Sequence, residues 1–255
     1  RGEPETPVRR WRPAVVPAIT LFIMDAPFIG GLVLIAVVLL LMAILVLVSL
    51  GEQRAYVYRN GVQIGVITYS YRDMPGSADD LLNYLLQCGI SSVELMGGPV
   101  EQFAGAPTFE RPPMPRRGQT MTDEQRAQFQ AARKAQAEEM KKWRLSVSMD
   151  KFQELRKKYN DAGVTIHIVK FDAIGASMSA DEVNYCFNVA KALGARGITT
   201  EISEENARFL APFADAHQIM IGFHNHTQVN ASSWEGAFSY GKYIGMNFDI
   251  GHYVA

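Results

Sequence analysis

The sequence predicts an α/β protein whose parallel sheet forms a barrel, preceded by one helix that crosses a membrane. Three observations lead to this prediction. A charge-free apolar run occupies positions 26–50, short apolar segments then alternate with amphipathic helices, and titratable residues stand where those segments end. Parallel strands buried on both faces have nearly continuous apolar sequences, and βα barrels place their active sites at the carboxyl ends of the strands.

The run from Ala26 to Leu50 is predicted to be a transmembrane helix. It contains no charged residue, and its last 23 residues (28–50) span roughly 34 Å as a helix, against a hydrocarbon core of about 30 Å. The apolar region of a secretory signal peptide is shorter, so a retained anchor is favoured over a cleaved signal or a buried core helix.

The charges beside this run predict its orientation. Arg9, Arg10 and Arg12 precede it, and Arg54 and Arg59 follow it at lower density. The positive-inside rule therefore places the N-terminus in the cytoplasm and the barrel in the periplasm or otherwise outside the cytoplasm. The expected division is an N-terminal cytoplasmic or interfacial segment (1–25), a transmembrane helix (26–50), a linker (51–60) and the barrel (61–255).

The elements of the barrel are predicted from apolar runs and helix caps. The expected strands are 63–70, 92–96, 165–170, 197–202, 219–224 and 244–249. Helices are expected from the Ser77–Asp80 cap to Cys88, and over 149–160, 180–193 and 204–217. No Gly-rich phosphate turn follows the first strand, so a barrel is a better interpretation than a doubly wound nucleotide-binding sheet.

A charged insertion, 97–145, separates the second strand from its helix. It opens as a Pro- and Arg-rich loop and continues as a helix over 122–143, which starts at a capping box of Thr122 and Gln125. Two interpretations stay open. The helix either covers the barrel mouth as a solvated element or docks a partner protein or lipid headgroups.

The composition excludes several other classes of protein. An apolar fraction of 48% is too high for a disordered chain. The 25 basic and 26 acidic residues nearly cancel, so no nucleic-acid partner is expected. Cys88 and Cys186 are too few for a disulfide scaffold, and both are predicted to be core thiols.

Titratable residues at three strand ends predict a metal-dependent site. His224 and His226 close the fifth strand, Glu201 lies on the fourth, and Asp249 closes the sixth with His252 three residues on. Imidazole nitrogen and carboxylate oxygen together suit a divalent ion such as zinc, manganese or cobalt. Such an ion polarises a sugar carbonyl while a carboxylate or histidine moves the adjacent proton. Structural hydrogen bonding by these side chains is the alternative.

These motifs resemble those of the sugar phosphate isomerase/epimerase family, the xylose-isomerase-like TIM barrels that also include endonuclease IV. The resemblance extends from about Gly61 to Ala255 and rests on segments 65–74, 88–96 and 223–226 and on the motif Asn247-x-Asp-x-Gly-His252. It implies a (β/α)8 barrel, of which about six βα units are present, with a divalent metal (Mn, Zn, Mg or Co) at its carboxyl-terminal mouth.

The resemblance gives Asp249 the role of a metal ligand, and His252 that of a contact to substrate or metal; the contact to substrate is the role predicted here. The other candidates follow from residue type: His224 and Glu201 as metal ligands and catalytic groups, His226 as a substrate contact, and Lys170 as a contact to a hydroxyl or phosphate. His224 stands where many members have a glutamate. The family's seventh and eighth strands have no counterpart here, so either the sequence lacks its C-terminal part or another subunit seals the barrel.

Two functions are therefore open. The first is a membrane-anchored isomerase or epimerase that transfers a proton next to the carbonyl of a sugar or polyol. The second is a non-catalytic accessory subunit of a respiratory or photosynthetic type of membrane complex, which would need no metal. Membrane lipid would be a partner in both cases. Other membrane-protein subunits would be contacted through the insertion and through the transmembrane helix, where Gly30, Gly31 and Ala36 allow close packing.

Overall fold

The computed structural model describes residues 58–59, 62–109, 120–227 and 229–254. The predicted transmembrane helix (26–50), the segment before it and positions 110–119 of the insertion lie outside this part. Within the described residues, none of the helices combines the length and the apolar character that a membrane span requires.

Six strands form a parallel sheet in which every strand pairs with its predecessor in the sequence. They are β3 (Val66–Ile67), β4 (Ser92–Met96), β5 (Thr165–Lys170), β6 (Gly197–Glu201), β7 (Met220–His224) and β8 (Ile244–Asn247). A short antiparallel pair, β1 (Tyr58–Arg59) and β2 (Val62–Gln63), precedes them. Sequential order is the topology of a βα barrel, since the order of a doubly wound sheet reverses at its centre. The prediction of a parallel βα sheet is confirmed.

The sheet is strongly curved. The Asn247 amide donates hydrogen bonds to both oxygens of the Glu94 carboxylate, at 3.1 and 3.0 Å, and Thr199 Oγ1 donates to Glu94 Oε1 at 2.6 Å. Glu94 lies on β4 and Asn247 on β8, four strands away, which in a flat sheet would be roughly 19 Å apart. The inner face of the sheet is therefore concave, like the interior of a barrel, with β3 and β8 as its edges.

Helices follow the strands. They are α1 (Ala78–Gln87), α2 (Gly97–Phe103), α3 (Asp123–Ser146), α4 (Asp150–Asp161), α5 (Ala180–Leu193), α6 (Glu204–His217), α7 (Ala231–Phe238) and α8 (Ile250–Val254). The predicted capping boxes at Ser77 and Thr122 both form, and α5 ends as predicted at Gly194, whose φ of 71° is left-handed. The sequence does not predict α2, α7 or α8.

The apolar core lies between the sheet and these helices. Leu95, Ile198 and Phe223 point outward from their strands and are fully buried there, together with helix residues such as Phe152 and Leu210. Since side chains alternate along a strand, the intervening residues face the concave side, where Glu94, Thr199 and Asn247 meet. The fold thus places the apolar core under the helices, while the concave face carries polar side chains together with apolar ones such as Ile168 and Met220.

The first strand is shorter than predicted. β3 stops at Ile67, and Thr68–Tyr71 form a 3₁₀ turn. The reason is local: Thr68 turns its hydroxyl toward the neighbouring strand, where its Oγ1 accepts a hydrogen bond from Met96 N at 3.0 Å. The insertion opens with a helix that the sequence does not predict, since α2 begins directly at Gly97. The predicted Pro- and Arg-rich loop, 111–117, lies outside the described residues.

The insertion helix α3 is attached to the barrel by buried charges. Arg144 donates to both oxygens of Glu101, at 2.8 and 3.2 Å, and Tyr185 OH donates to Glu101 Oε1 at 3.2 Å. Glu182 lies 3.6 Å from Lys141 Nζ and 3.8 Å from Arg144 Nη1. These five residues are called the Glu101 network below. It fixes the C-terminal end of α3 against α2 and α5.

The two cysteines differ. Both are free thiols, and Cys186 is buried as predicted, which raises the pKa of its thiol. The prediction of a core thiol is wrong for Cys88, which is exposed. Cys88 follows the last turn of α1, where the helix end faces solvent.

Candidate functional site

The predicted site residues meet at one edge of the sheet. Glu201 is in register with His224, and His224 with Asn247, so the carboxyl ends of β6, β7 and β8 lie side by side. Lys170 ends β5. His226 follows β7, whereas Asp249 and His252 follow β8 rather than ending it, because that strand stops at Asn247. All six predicted residues therefore lie around the same mouth.

Three imidazoles form a cluster there. One ring nitrogen from each of His224, His226 and His252 lies within 4.8 Å of the others. The ring centroids of His226 and His252 are 4.6 Å apart, and those of His224 and His226 are 5.1 Å apart. The side chains of His226 and His252 are 49% and 43% exposed, so the cluster is open to solvent. Together with Lys170 and Glu201 it is called the mouth cluster below.

Glu201 has two differently occupied oxygens. Its Oε1 accepts a hydrogen bond of 2.9 Å from Lys170 Nζ. Its Oε2 lies 3.0 Å from His226 Nε2, but this contact lacks hydrogen-bond geometry, so the buried Oε2 atom has no hydrogen-bond partner. One oxygen is therefore fixed, and the other keeps its lone pairs available.

Lys170 is the hydrogen-bond donor to the Glu201 carboxylate. The residue is only 7% exposed, and its amine, besides donating to Glu201, lies 3.6 Å from the outward-facing carboxylate of Asp172. A buried ammonium with two neighbouring carboxylates is well compensated. The amine is engaged with protein groups, and its expected contact to a substrate hydroxyl or phosphate stays a prediction.

The side chain of Asn225 fixes Asp249 through the backbone atoms of Asp249. Asn225 is fully buried. Its Oδ1 accepts from Asp249 N at 2.8 Å, and its Nδ2 donates to Asp249 O at 3.0 Å. Asp249 Oδ1 accepts from His252 N at 3.0 Å, and this backbone hydrogen bond is the main reason that the pKa of Asp249 is lowered. Asp249 Oδ2 lies 3.9 Å from His252 Nε2. Asp249 therefore orients the start of α8, the helix that carries His252.

Two cavities lie deeper on the concave face. One, of about 390 Å³, is lined by Ser92, Glu94 and Asn247 among others. The other, of about 260 Å³, is lined by Arg196 and Met220 among others, and His167 borders both. The three imidazoles lie at the rim of the concave face and do not line either of these two cavities.

The donor atoms fit a divalent ion after a small adjustment. Two nitrogens that bind one ion at about 2.1 Å are at most about 4.2 Å apart, so spacings of up to 4.8 Å have to shorten. The exposed rings of His226 and His252 have room to rotate. The unpartnered Oε2 of Glu201 lies beside the same rings. The residues present therefore fit a metal ion.

Comparison with known proteins gives structural similarity only. No protein-family model matches the chain, and no curated protein matches it. A probable 3-DHS dehydratase of petrobactin synthesis from Bacillus anthracis has 12% identity and a TM-score of 0.48, over 75% of this chain and 64% of that chain. A xylose isomerase domain protein from Planctomyces limnophilus has 14% identity and a TM-score of 0.43, over 75% and 64%.

A sugar phosphate isomerase/epimerase from Parabacteroides distasonis has 12% identity and a TM-score of 0.40, over 73% of this chain and 67% of that chain. This chain spans less than two thirds of the length of the first of these proteins. At such identities and TM-scores the similarity concerns the arrangement of strands and helices. The function is therefore inferred from the site of this chain itself.

Proposed function

We propose that the protein is a membrane-anchored isomerase or epimerase that transfers a proton next to the carbonyl of a sugar or polyol, with a divalent ion at the barrel mouth. The observation that carries the proposal is the state of Glu201. Lys170 fixes one of its oxygens, while the other is buried, has no hydrogen bond and lies beside the imidazoles. A general base needs this combination of fixed orientation and free lone pair.

The chain's own residues perform the proton transfer. A divalent ion, when bound, acts as a Lewis acid that polarises the carbonyl and so makes the neighbouring C–H more acidic. Glu201 Oε2 accepts that proton. It returns the proton to the adjoining carbon in an isomerisation, while the hydroxyl proton of that carbon passes to the former carbonyl oxygen. An epimerisation inverts the carbon, so it would need a second proton donor on the opposite face of the substrate. Lys170 keeps the carboxylate in one orientation, so that both transfers use the same oxygen.

The membrane part of the proposal rests on the sequence. The charge-free run 26–50 and the preceding arginines would leave the barrel outside the cytoplasm, so a free sugar or polyol is a more plausible substrate than a phosphorylated metabolite. Trypsin treatment of sealed membrane vesicles tests this. The Lys- and Arg-rich helix α3 should be cleaved in right-side-out vesicles and protected in inverted ones, and the opposite pattern would contradict the orientation.

Exchange of the substrate's C–H proton with D₂O tests the proposed reaction. The full chain in detergent, supplied with Zn²⁺, Co²⁺ or Mn²⁺, is incubated with a panel of aldoses, ketoses and related polyols. NMR then reports deuterium next to the carbonyl. Glu201→Gln should lower the exchange rate about 10²–10⁴-fold, the usual contribution of a positioned base. Glu205→Gln, an exposed carboxylate on α6, is the matched control and should leave the rate unchanged.

Two outcomes would overturn the proposal. One is an undiminished exchange rate in Glu201→Gln. The other is the absence of exchange by the wild type on every substrate of the panel. In the second case, co-purification in a fixed ratio with other membrane proteins would favour the accessory-subunit function.

A further inference from the structure

We infer that the ion is bound by three imidazoles, those of His224, His226 and His252, and that the site therefore takes a transition-metal ion such as Zn²⁺ or Co²⁺ rather than Mg²⁺. The inference rests on the proposed function only in assigning an ion to this mouth. It keeps His224 as a ligand but differs from the sequence expectation for the other residues, in which Asp249 and Glu201 are ligands, His226 contacts substrate and His252 contacts substrate or metal.

The first support is the mutual placement of the rings. His224 is the last residue of β7, His226 follows two positions later, and His252 lies in α8, directly after β8. Three chain positions therefore bring one nitrogen each to within 4.8 Å. Three histidine nitrogens, with a fourth position left for water or substrate, are a common donor set of catalytic zinc sites.

The second support is that a carboxylate lies beside two of the three rings, those of His226 and His252. A metal-bound imidazole usually donates its other N–H to a carboxylate or carbonyl, which fixes the ring and raises its basicity. Glu201 Oε2 lies 3.0 Å from His226 Nε2, and Asp249 Oδ2 lies 3.9 Å from His252 Nε2. Glu201 and Asp249 are thus placed as partners of ligands. A rotation of the His226 ring would give Glu201 Oε2 a hydrogen bond. Because a carboxylate oxygen has two lone pairs, the second one stays available to accept the substrate proton.

The third support is the way Asn225 positions this pair. Its buried amide holds the backbone N–H and C=O of Asp249, and Asp249 in turn accepts from the backbone of His252. The Asp249 oxygen that receives this bond caps the turn into α8. A carboxylate engaged in this way orients a neighbouring imidazole, and the ligand is then the ring.

The donor set decides which ions bind. Imidazole nitrogen suits zinc, copper, iron and nickel, whereas magnesium prefers carboxylates, carbonyls and water. With three nitrogens as its ligands, the site offers Mg²⁺ few of the oxygens it prefers. Selectivity for transition metals is therefore the measurable consequence of the ligand assignment.

Cobalt binding tests this assignment without any enzymatic assay. The full chain in detergent is stripped with a chelator and titrated with Co²⁺, and the visible d–d absorption reports binding. We expect one Co²⁺ per chain, displacement by Zn²⁺, and no displacement by Mg²⁺ in large excess. Alanine at His224, His226 or His252 should weaken binding by more than the ~10–100-fold typical for an outer-shell partner. His167→Ala, on β5, is the matched control and should bind like the wild type.

Further measurements keep the test decisive if a variant folds poorly. Circular dichroism of each metal-free variant shows whether its fold is intact. In the wild type loaded with Co²⁺, three imidazole N–H signals should be strongly shifted in the proton NMR spectrum and should disappear in D₂O. Fewer than three such signals would overturn the ligand set. Binding that survives His226→Ala and His252→Ala but is abolished by Asp249→Ala would do the same.

The results also separate this inference from the proposed function. Glu201→Gln should retain cobalt binding, weakened at most as an outer partner, while it loses proton exchange. A wild type that binds Co²⁺ through three imidazoles but exchanges no substrate proton would support the ligand set and refute the reaction. Exchange activity that needs Mg²⁺ and is blocked by Co²⁺ would refute the ligand set alone.

Discussion

The Glu101 network and the mouth cluster both place a carboxylate beside cationic groups, but they treat it differently. Glu101 is 7% exposed, and both of its oxygens accept hydrogen bonds, from Arg144 and Tyr185. Glu201 has one bonded oxygen and one without a partner. Each oxygen of the first carboxylate thus accepts at least one hydrogen bond, whereas one oxygen of the second accepts none. The two carboxylates therefore differ in hydrogen-bond saturation, that is, in whether every oxygen accepts a hydrogen bond, and not in charge.

Burial supports the same distinction. An unpaired buried acceptor costs on the order of 1–3 kcal/mol, so it persists mainly where function requires it. In the Glu101 network the Arg144 side chain is 15% exposed, so the charges are shielded and fully paired. In the mouth cluster the histidines beside Glu201 are about half exposed. A substrate can therefore reach the mouth cluster, although Glu201 Oε2 itself is buried and is uncovered only when the neighbouring His226 ring turns aside.

The largest expected effect on stability separates the two carboxylates. Glu101→Ala leaves the Arg144 guanidinium buried without its partner, and such losses cost about 3–5 kcal/mol in the free energy of unfolding. Glu201→Gln should cost less than this, because the amide keeps the shape and an oxygen acceptor for the buried Lys170 amine, and Asp172 remains 3.6 Å from that amine. Urea denaturation of both variants measures the difference. Equal destabilisation would show that saturation does not distinguish the two sites.

A smaller effect is expected where structure and site meet. Asn225→Ala leaves the backbone N–H and C=O of Asp249 without their buried partner, which should lower the free energy of unfolding by about 1–3 kcal/mol. It also removes the hydrogen bonds that position the start of α8, the helix that carries His252. Cobalt affinity should fall about 10–100-fold, as for other outer-shell losses. Asn83→Ala, an exposed asparagine on α1, is the control for unfolding and for binding. If cobalt affinity is unchanged in Asn225→Ala, the clamp does not position the ligand.

The smallest effect concerns a histidine outside both clusters. His217 stacks on Phe187, and its Nε2 contacts Asn184 Oδ1 at 2.9 Å. Burial lowers the pKa of His217, and the charge of Lys191 adds to this. The unfolded chain therefore binds a proton at a higher pH than the folded one, so stability is lost as the pH falls below about 6.5.

Melting temperatures between about pH 7.5 and 5.5 measure this loss. His217→Gln should show a shallower decline than the wild type across the same range. An identical decline in both proteins would mean that His217 does not contribute to the pH dependence.

Much of the fold could be predicted because its signals are local. The apolar runs of the strands reflect burial on both faces, and the boundaries of α5 and α6 follow from capping residues and a left-handed glycine. Helix α2 escapes prediction because its first turn reads Gly97-Gly-Pro, a sequence typical of a turn. The exposure of Cys88 was missed because apolar neighbours in sequence do not determine which side of a helix end faces solvent.

The sequence predicts which residues form the candidate site, but it does not predict how those residues pair. Parallel strands in sequential order bring their carboxyl ends together, so residues that follow β6, β7 and β8 had to become neighbours. Their pairing depends on loop geometry and sheet curvature, which the sequence pattern does not contain. The Asn225 clamp and the hydrogen bonds of Glu94 therefore appear only in the structure. The position of Asn225 between two site histidines was the one available signal.

The contact between Glu94 and Asn247 has a consequence for the order of folding. It joins positions 153 residues apart, whereas each strand pairs with the preceding βα unit. Loop-closure entropy has to be overcome before a long-range contact contributes any stability, so such contacts form late. The ends of β6, β7 and β8 thus acquire their final spacing after the helices have formed. During refolding in the presence of Co²⁺, the visible absorption of bound cobalt should appear later than the helical circular dichroism signal. The reason is that the three imidazoles cannot come together until the sheet has bent.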